Sequence, residues 1–157
     1  MTLPVIEAVQ QQLASGQCVA SFSHGMLVLE VESAALASVT GRLKAEFGFD
    51  LLLDVTAVDW PARTPRFELV YHLYSTQHHA RVRLKTRVPA ADPTVDSLLP
   101  AYKSALFMER ECHDMYGIVF RGHPDLRPIL LYEGFVGHPL RKDYAKEHEQ
   151  PLVPYRK

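Results

Sequence analysis

The chain has little of what usually announces a chemistry. Its two cysteines, Cys18 and Cys112, are far apart, so there is no disulfide framework and no Cys-X-X-Cys pair for zinc or an iron–sulfur cluster. Two free thiols fit a reducing compartment. Neither sign of charge prevails: Lys plus Arg is 17 against 18 for Asp plus Glu, a formal net charge of −1. That balance gives no general attraction to nucleic acid or to an anionic membrane surface. Unbroken apolar runs are only a few residues long, too short to span a bilayer. The start, MTLPVIEAVQQQ, has neither the basic opening and apolar run of a signal peptide nor an Arg-rich leader. The expectation is a soluble, cytoplasmic chain that meets a membrane only through partners. No Gly-X-Ser-X-Gly elbow is present, and no glycine-rich phosphate loop follows a strand, so acyl transfer and nucleotide binding have no anchor.

What is present is an ordinary core fraction, 47% apolar in 157 residues, enough for one domain and an appendage. Thr2 and Pro4 start a first helix with Val5, Ile6, Val9 and Leu13 on one face and Gly16 as its stop. Two strands flanking Ser23-His24-Gly25 predict a hairpin. Ser33 caps a second helix carrying Leu36, Val39, Leu43 and Phe47, ended by Gly48. Strands follow over 49–58, 67–74 and 80–88, the first closed by Asp59-Trp60-Pro61. His78-His79 falls in the turn between the last two. In the last strand, Arg81, Arg83, Lys85 and Arg87 alternate with Val82, Leu84, Thr86 and Val88, so one face is apolar and the other carries four cations. That row suits a solvated face, a charged sheet edge, or a stripe that docks an acidic partner. A third helix is expected over 96–116, with Gly117 as its stop. Helices and segregated strands in this order predict an α+β fold, a mainly antiparallel sheet covered by helices, over residues 1–118.

The densest polar cluster is Glu109-Arg110-Glu111-Cys112-His113-Asp114, near the end of that helix. Arg110 with Asp114, and Glu109 with His113, are four apart and share a face, which suits ion pairs along the helix end, or a polar patch that pairs with the C-terminal arm or with a partner. A metal site would have to draw on Cys112, His113, His123 and His138. Cys112 and His113 are adjacent on a helix and diverge by about 100°, so they cannot easily grip one ion. His123 and His138 each precede proline and suit local turns. A small Cys/His metalloenzyme is therefore a remote alternative.

Residues 119–157 predict something else, an extended irregular arm. Five of the chain's eleven prolines lie here, which obstructs helix and strand. Yet Phe120, Leu126, Ile129, Leu130, Leu131, Tyr132, Phe135, Val136, Leu140 and Tyr144 make the segment too apolar for a solvated tail. Fixing each residue's backbone costs roughly 1–2 kcal/mol, so an ordered arm needs a covering surface, and the simplest is another protein.

The run from Glu109 to Ile118, then Phe120, Gly122-His123-Pro124-Asp125-Leu126-Arg127, Ile129-Leu130 and Gly137-His138-Pro139-Leu140-Arg141-Lys142-Asp143-Tyr144, resembles the signature of the 30-kDa-type subunit of respiratory NADH–quinone oxidoreductase, the C subunit of complex I. Asp54-Val55-Thr56-Ala57-Val58-Asp59-Trp60 and the stretch from Arg66 to Tyr74 resemble the family's pattern further upstream. The resemblance implies a component of the hydrophilic arm, peripheral on the cytoplasmic side of the inner membrane, in an assembly coupling electron transfer to quinone with ion translocation. It implies no cofactor and no catalytic residue in this chain. The iron–sulfur clusters and quinone site would belong to its neighbours, the large 49-kDa-type quinone-site subunit and a small iron–sulfur subunit. It further implies an interface and assembly role for Glu109, Arg110, Glu111, Asp114, His123, Arg127, His138, Arg141, Lys142 and Asp143. The same type of subunit occurs in membrane-bound NiFe-hydrogenase complexes, which stand as the alternative host.

Overall fold

The computed structural model describes residues 3–13, 18–148 and 150. The elements in order are α1 (Pro4–Leu13), β1 (Cys18–Ser23), β2 (Met26–Val31), a 3₁₀ turn (Ser33–Ala35), α2 (Leu36–Phe47), β3 (Leu51–Asp59), β4 (Phe67–Ser75), β5 (Ala80–Val88), β6 (Thr94–Asp96), α3 (Ala105–Tyr116) and β7 (Val119–Arg121). The main sheet runs β1-β2-β5-β4-β3, antiparallel except for the parallel β2–β5 pair. The fold is α+β with a mainly antiparallel sheet. The Thr2 cap and Gly16 stop expected for α1 lie outside the described residues. Among the described residues, no helix is long and apolar enough to cross a membrane.

The strands follow from alternation. In β5, Val82, Leu84, Thr86 and Val88 are buried while the four cations turn to the other face. The inner face meets Ile6, Val9 and Leu13 of α1 and Leu36, Val39, Leu43 and Phe47 of α2 in one core, with Phe49, Phe67, Leu69, Tyr71 and Leu73 at its centre. Each such side chain contributes about 1.5–3 kcal/mol on burial, so this face holds the domain together. The hairpin turn at His24 and Gly25 has positive φ at both residues, 52° and 73°, the geometry that matches strand twist in a two-residue turn.

Three expectations change. β5 is not an edge: it lies between β2 and β4, because β2 joins it in parallel after a crossover. Ser33 does not cap α2; it opens the 3₁₀ turn, and no side chain caps either element. The third helix starts at Ala105, not near 96, because Thr94, Val95 and Asp96 pair in parallel with Val119, Phe120 and Arg121. That ladder is long-range, and its attraction on the chain is absent from local periodicity.

α3 lies along the free edge of β3. Ser104 Oγ donates to Leu52 O at 3.0 Å and Cys112 Sγ to Val55 O at 3.3 Å, so side chains occupy carbonyls that a further strand would have used. Beyond β7, the described residues 122–150 contain no helix or strand. They run back across the end of α3 as a strap.

Candidate protein interface

The strap is held by side chains that grip backbone. Arg110 and Asp114 do not pair with each other. Arg110 Nε and Nη2 donate to the carbonyls of Arg127 and Pro128 at 2.9 and 2.8 Å. Asp114 Oδ2 accepts the N–H groups of Ile129, Leu130 and Leu131 at 2.7, 2.8 and 3.2 Å. A surface i,i+4 ion pair yields only a few tenths of a kcal/mol, while charge-assisted bonds to backbone are worth about 1.5–3 kcal/mol each; the clamp wins. Burial pushes the Asp114 carboxyl up, but the three N–H groups, helped by His113, outweigh it and hold it below the ordinary range. The other expected pair fails as well. Glu109 is fully buried and accepts from Ser97 Oγ at 2.6 Å and Leu98 N at 2.7 Å, and burial raises its pKa. His113 turns its Nδ1–H to Ile118 O at 2.9 Å.

The strap also completes α3. A helix leaves its last four carbonyls without intrahelical partners. Here Gly117 N takes His113 O at 2.8 Å, and the strap takes the rest. His138 Nδ1–H donates to Asp114 O at 2.9 Å, Leu140 N to Met115 O at 3.2 Å, and Arg141 Nε to Tyr116 O at 2.6 Å. The Arg141 cation thus sits at the negative end of the helix dipole. Gly117 permits this twice over. Its φ of 71° is left-handed, and a Cβ there would lie 2.4 Å from His138 Nε2 and 2.5 Å from Arg141 Nη2.

A third attachment lies at the end of the β3–β4 hairpin. Buried Asp59 receives Arg66 bidentately at 2.6 and 2.7 Å and the backbone N–H of Lys142 at 2.7 Å. Arg66 Nη1 also reaches Asp143 Oδ2 at 2.8 Å. The Arg66 bond depresses Asp59, against burial, and the same guanidinium depresses Asp143. The guanidinium groups of Arg66 and Arg141 lie 5.1 and 5.0 Å from the Phe67 ring centroid. His123 bonds Leu106 O through Nε2 and accepts Asp125 N through Nδ1, which fixes its tautomer as Nε2–H. Arg127 pairs with Asp125 at 2.5 Å. Of the ten residues singled out in the sequence, nine bond beyond the helix ladder; Glu111 is exposed and its carboxylate accepts no hydrogen bond among the described residues. Asp59 and Arg66, which sequence reasoning did not count, are as central as any. Their signal was an acid and a base bracketing one hairpin loop.

These polar bonds leave the strap's apolar side chains in two groups. Phe120 is buried, Leu126 packs against the core, and Phe135 stands in ring contact with Tyr132 and Tyr144 at 5.4 and 6.1 Å. The chain therefore covers part of the apolar surface that the sequence assigned to a partner. Ile129, Leu130, Val136 and Leu140 remain exposed, Leu130 at 62% and Val136 at 71%. The clamp permits this: it holds the backbone of 129–131 through its N–H groups and leaves the side chains of Ile129 and Leu130 outside.

The four candidate metal ligands do not converge. Cys112 is buried between α3 and β3, with its thiol pushed up by burial, whereas His113, His123 and His138 each bond a carbonyl. Among the described residues, no group of three or more His, Cys, Asp or Glu side chains could hold a metal ion.

Fold and attachments together define a class: a small α+β body whose irregular C-terminal strap completes a helix end and carries an exposed apolar ridge. The chain belongs to the family of the respiratory-chain NADH dehydrogenase 30 Kd subunit, whose model matches residues 29–150. It is 43% identical over 149 residues to the NADH-quinone oxidoreductase C subunit of Ruegeria sp. (strain TM1040), covering 89% of this chain and 74% of that one. It is 48% identical over 133 residues to the C subunit of Paramagnetospirillum magneticum, covering 83% of this chain and 63% of that one. It spans 57% of the Methylorubrum populi relative and 23% of the longer C/D polypeptide of Bdellovibrio bacteriovorus. A solved trypsin-resistant fragment of Nqo5 matches with a TM-score of 0.68 at 30% identity, over 78% of this chain and 96% of that one. A chain in the structure of the membrane-bound sulfane sulfur reductase, an archaeal respiratory membrane complex, matches with a TM-score of 0.73 at 24% identity, over 91% of this chain and 85% of that one; it shares the fold.

Proposed function

We propose that this chain is a non-catalytic assembly subunit of the hydrophilic arm of a complex I type NADH–quinone oxidoreductase, peripheral on the cytoplasmic side of the inner membrane. The observation that carries the reading is the strap: its backbone is bonded to its own body while Ile129, Leu130, Val136 and Leu140 face outward. An apolar ridge held rigidly in place loses little further entropy on docking, which favours a permanent contact. The partners on this reading are the large quinone-site subunit and a small iron–sulfur subunit, which carry the redox centres. Electron transfer falls steeply with distance, so a clamp keeping them in register contributes to turnover without chemistry of its own. Eight of the ten signature residues act in assembly by shaping the strap; Glu109 instead holds Ser97 and Leu98 ahead of α3, and exposed Glu111 is left to face a partner.

The test is Leu130→Glu with Val136→Glu in the full chain. The isolated protein keeps its melting temperature, the membranes hold less assembled oxidoreductase, and what assembles turns over normally. Full assembly with slowed turnover contradicts the reading. A hydrogenase-type host makes the same use of the strap. The chain's genomic neighbours separate the two hosts, with NADH-module genes favouring the first and hydrogenase maturation genes the second.

A further inference from the structure

The outer face of the main sheet carries the four cations of β5, and they divide into two halves. Lys85 Nζ lies 2.9 Å from Glu68 Oε1, and Arg87 reaches both Glu68 and Glu30 at 3.3 Å. Arg81 and Arg83 have no carboxylate among the described residues. Arg81 lays its guanidinium 5.7 Å from the Tyr74 ring centroid. Arg83 stands in register between Val28 of β2 and His72 of β4. Its side chain makes no hydrogen bond or ion pair with any described residue, and its Nε is buried without an acceptor. A guanidinium N–H withdrawn from water and left unpaired is costly, and such a group calls for a missing acceptor. The groups facing it are His72, whose pKa is lowered by burial and then by Arg83, and exposed Asp54 across from His72.

We propose that the Arg81–Arg83 half of this sheet face is a second docking surface, on the side away from the helices, that receives a carboxylate from an acidic segment of a neighbouring protein in the same complex, with Arg83 as the anchor. The occupant follows from charge complementarity. In the same row, Lys85 and Arg87 already take protein carboxylates, so the face has the shape for them. Two unpaired cations are too few for a polyanion, since nucleic acids and anionic lipid surfaces need several. Flanking Val28 and Val70 are apolar, as the surround of a buried ion pair must be.

The inference rests on the reading of the chain as a subunit, and its test separates the two. Co-purification of the parent chain with a membrane complex tests the subunit reading. Carbodiimide coupling on the assembled complex bearing Arg83→Lys tests the docking surface, because the reagent joins an amine only to a carboxylate in direct contact. The Lys85–Glu68 pair is the internal standard. The expected result is an amide from position 83 to an Asp or Glu of another protein of the complex, mapped by mass spectrometry. Position 83 unlinked while Lys85 is coupled, or linked to Asp54 of the same chain, overturns the proposal. Arg83→Glu lowers recovery of the chain with the complex by more than about tenfold, without changing the isolated chain's melting temperature; recovery equal to the parent's also overturns it.

Discussion

Replacing Asp114 with alanine tests the clamp where it is strongest. One carboxylate oxygen accepts three successive backbone N–H groups, those of Ile129, Leu130 and Leu131. Each bond to a charged acceptor is worth about 1.5–3 kcal/mol at most. The donors are only partly buried, so water recovers much of the sum when the carboxylate is removed. A net loss of about 2–3 kcal/mol in strap attachment is expected, which corresponds to roughly 30- to 150-fold in the opening equilibrium. Amide hydrogen exchange by NMR or mass spectrometry on the full chain reads this directly. The amides of 129–131 exchange faster by about that factor in Asp114→Ala, while those of β4 and β5 change little. The pH dependence has a definite sign. The folded carboxyl is depressed below its ordinary value of 3.8, so the contribution is fully present above that pH and is lost as pH falls through the folded pKa. If residues 129–131 exchange no faster in the variant than in the parent, the clamp does not hold the strap.

Other substitutions follow from the same geometry. Gly117→Ala forces a side chain into left-handed backbone, at about 1–2 kcal/mol, and against His138 and Arg141; melting should fall by about 2–8 °C. Gly41→Ala is the opposite case, since Gly41 lies inside α2 with nothing within 4 Å of a new Cβ; it should stabilise by about 0.5–1 kcal/mol in denaturant titration. Glu109→Gln removes a buried charge but keeps an acceptor for Leu98 N. Because burial raises the folded pKa above 4.5, the parent loses stability as pH rises through the interval between the two values. The variant's deficit should therefore be smaller at pH 7 than at pH 4, and a larger deficit at pH 7 would sink the argument. Arg141→Ala deprives Tyr116 O of its donor, and should lower the amount of assembled complex without changing the turnover of what assembles.

The sheet was legible because alternation is a local signal: the predicted span of β5 equals the observed one, and its cations all face outward. The start of α3 was not. Leu98 and Tyr102 keep a helical spacing, but Tyr102 uses its hydroxyl to bond Phe49 O at 2.8 Å, and Val95 is drawn into a ladder with Phe120. Both contacts join segments that no local window contains. The charged cluster at 109–114 was visible as a shared helical face fit to pair with the arm; which arm residues it takes was not, since Arg110 and Asp114 bond main-chain atoms that every residue possesses. The strap's exposed ridge was legible only in part. Composition revealed too much apolar surface for a tail, but not that Phe120, Leu126, Tyr132 and Phe135 would be covered by the chain itself.

The central claim is that the outward ridge of the strap is a covered surface in the assembled protein. Hydroxyl-radical footprinting of the full chain, free and within the purified membrane complex, measures it at the side chains concerned. Leu130, Val136 and Leu140 should be oxidised readily in the free chain and be shielded in the complex, with Val19 of β1 serving as an exposed reference in the free chain. Equal labelling of those three side chains in both states would contradict the account.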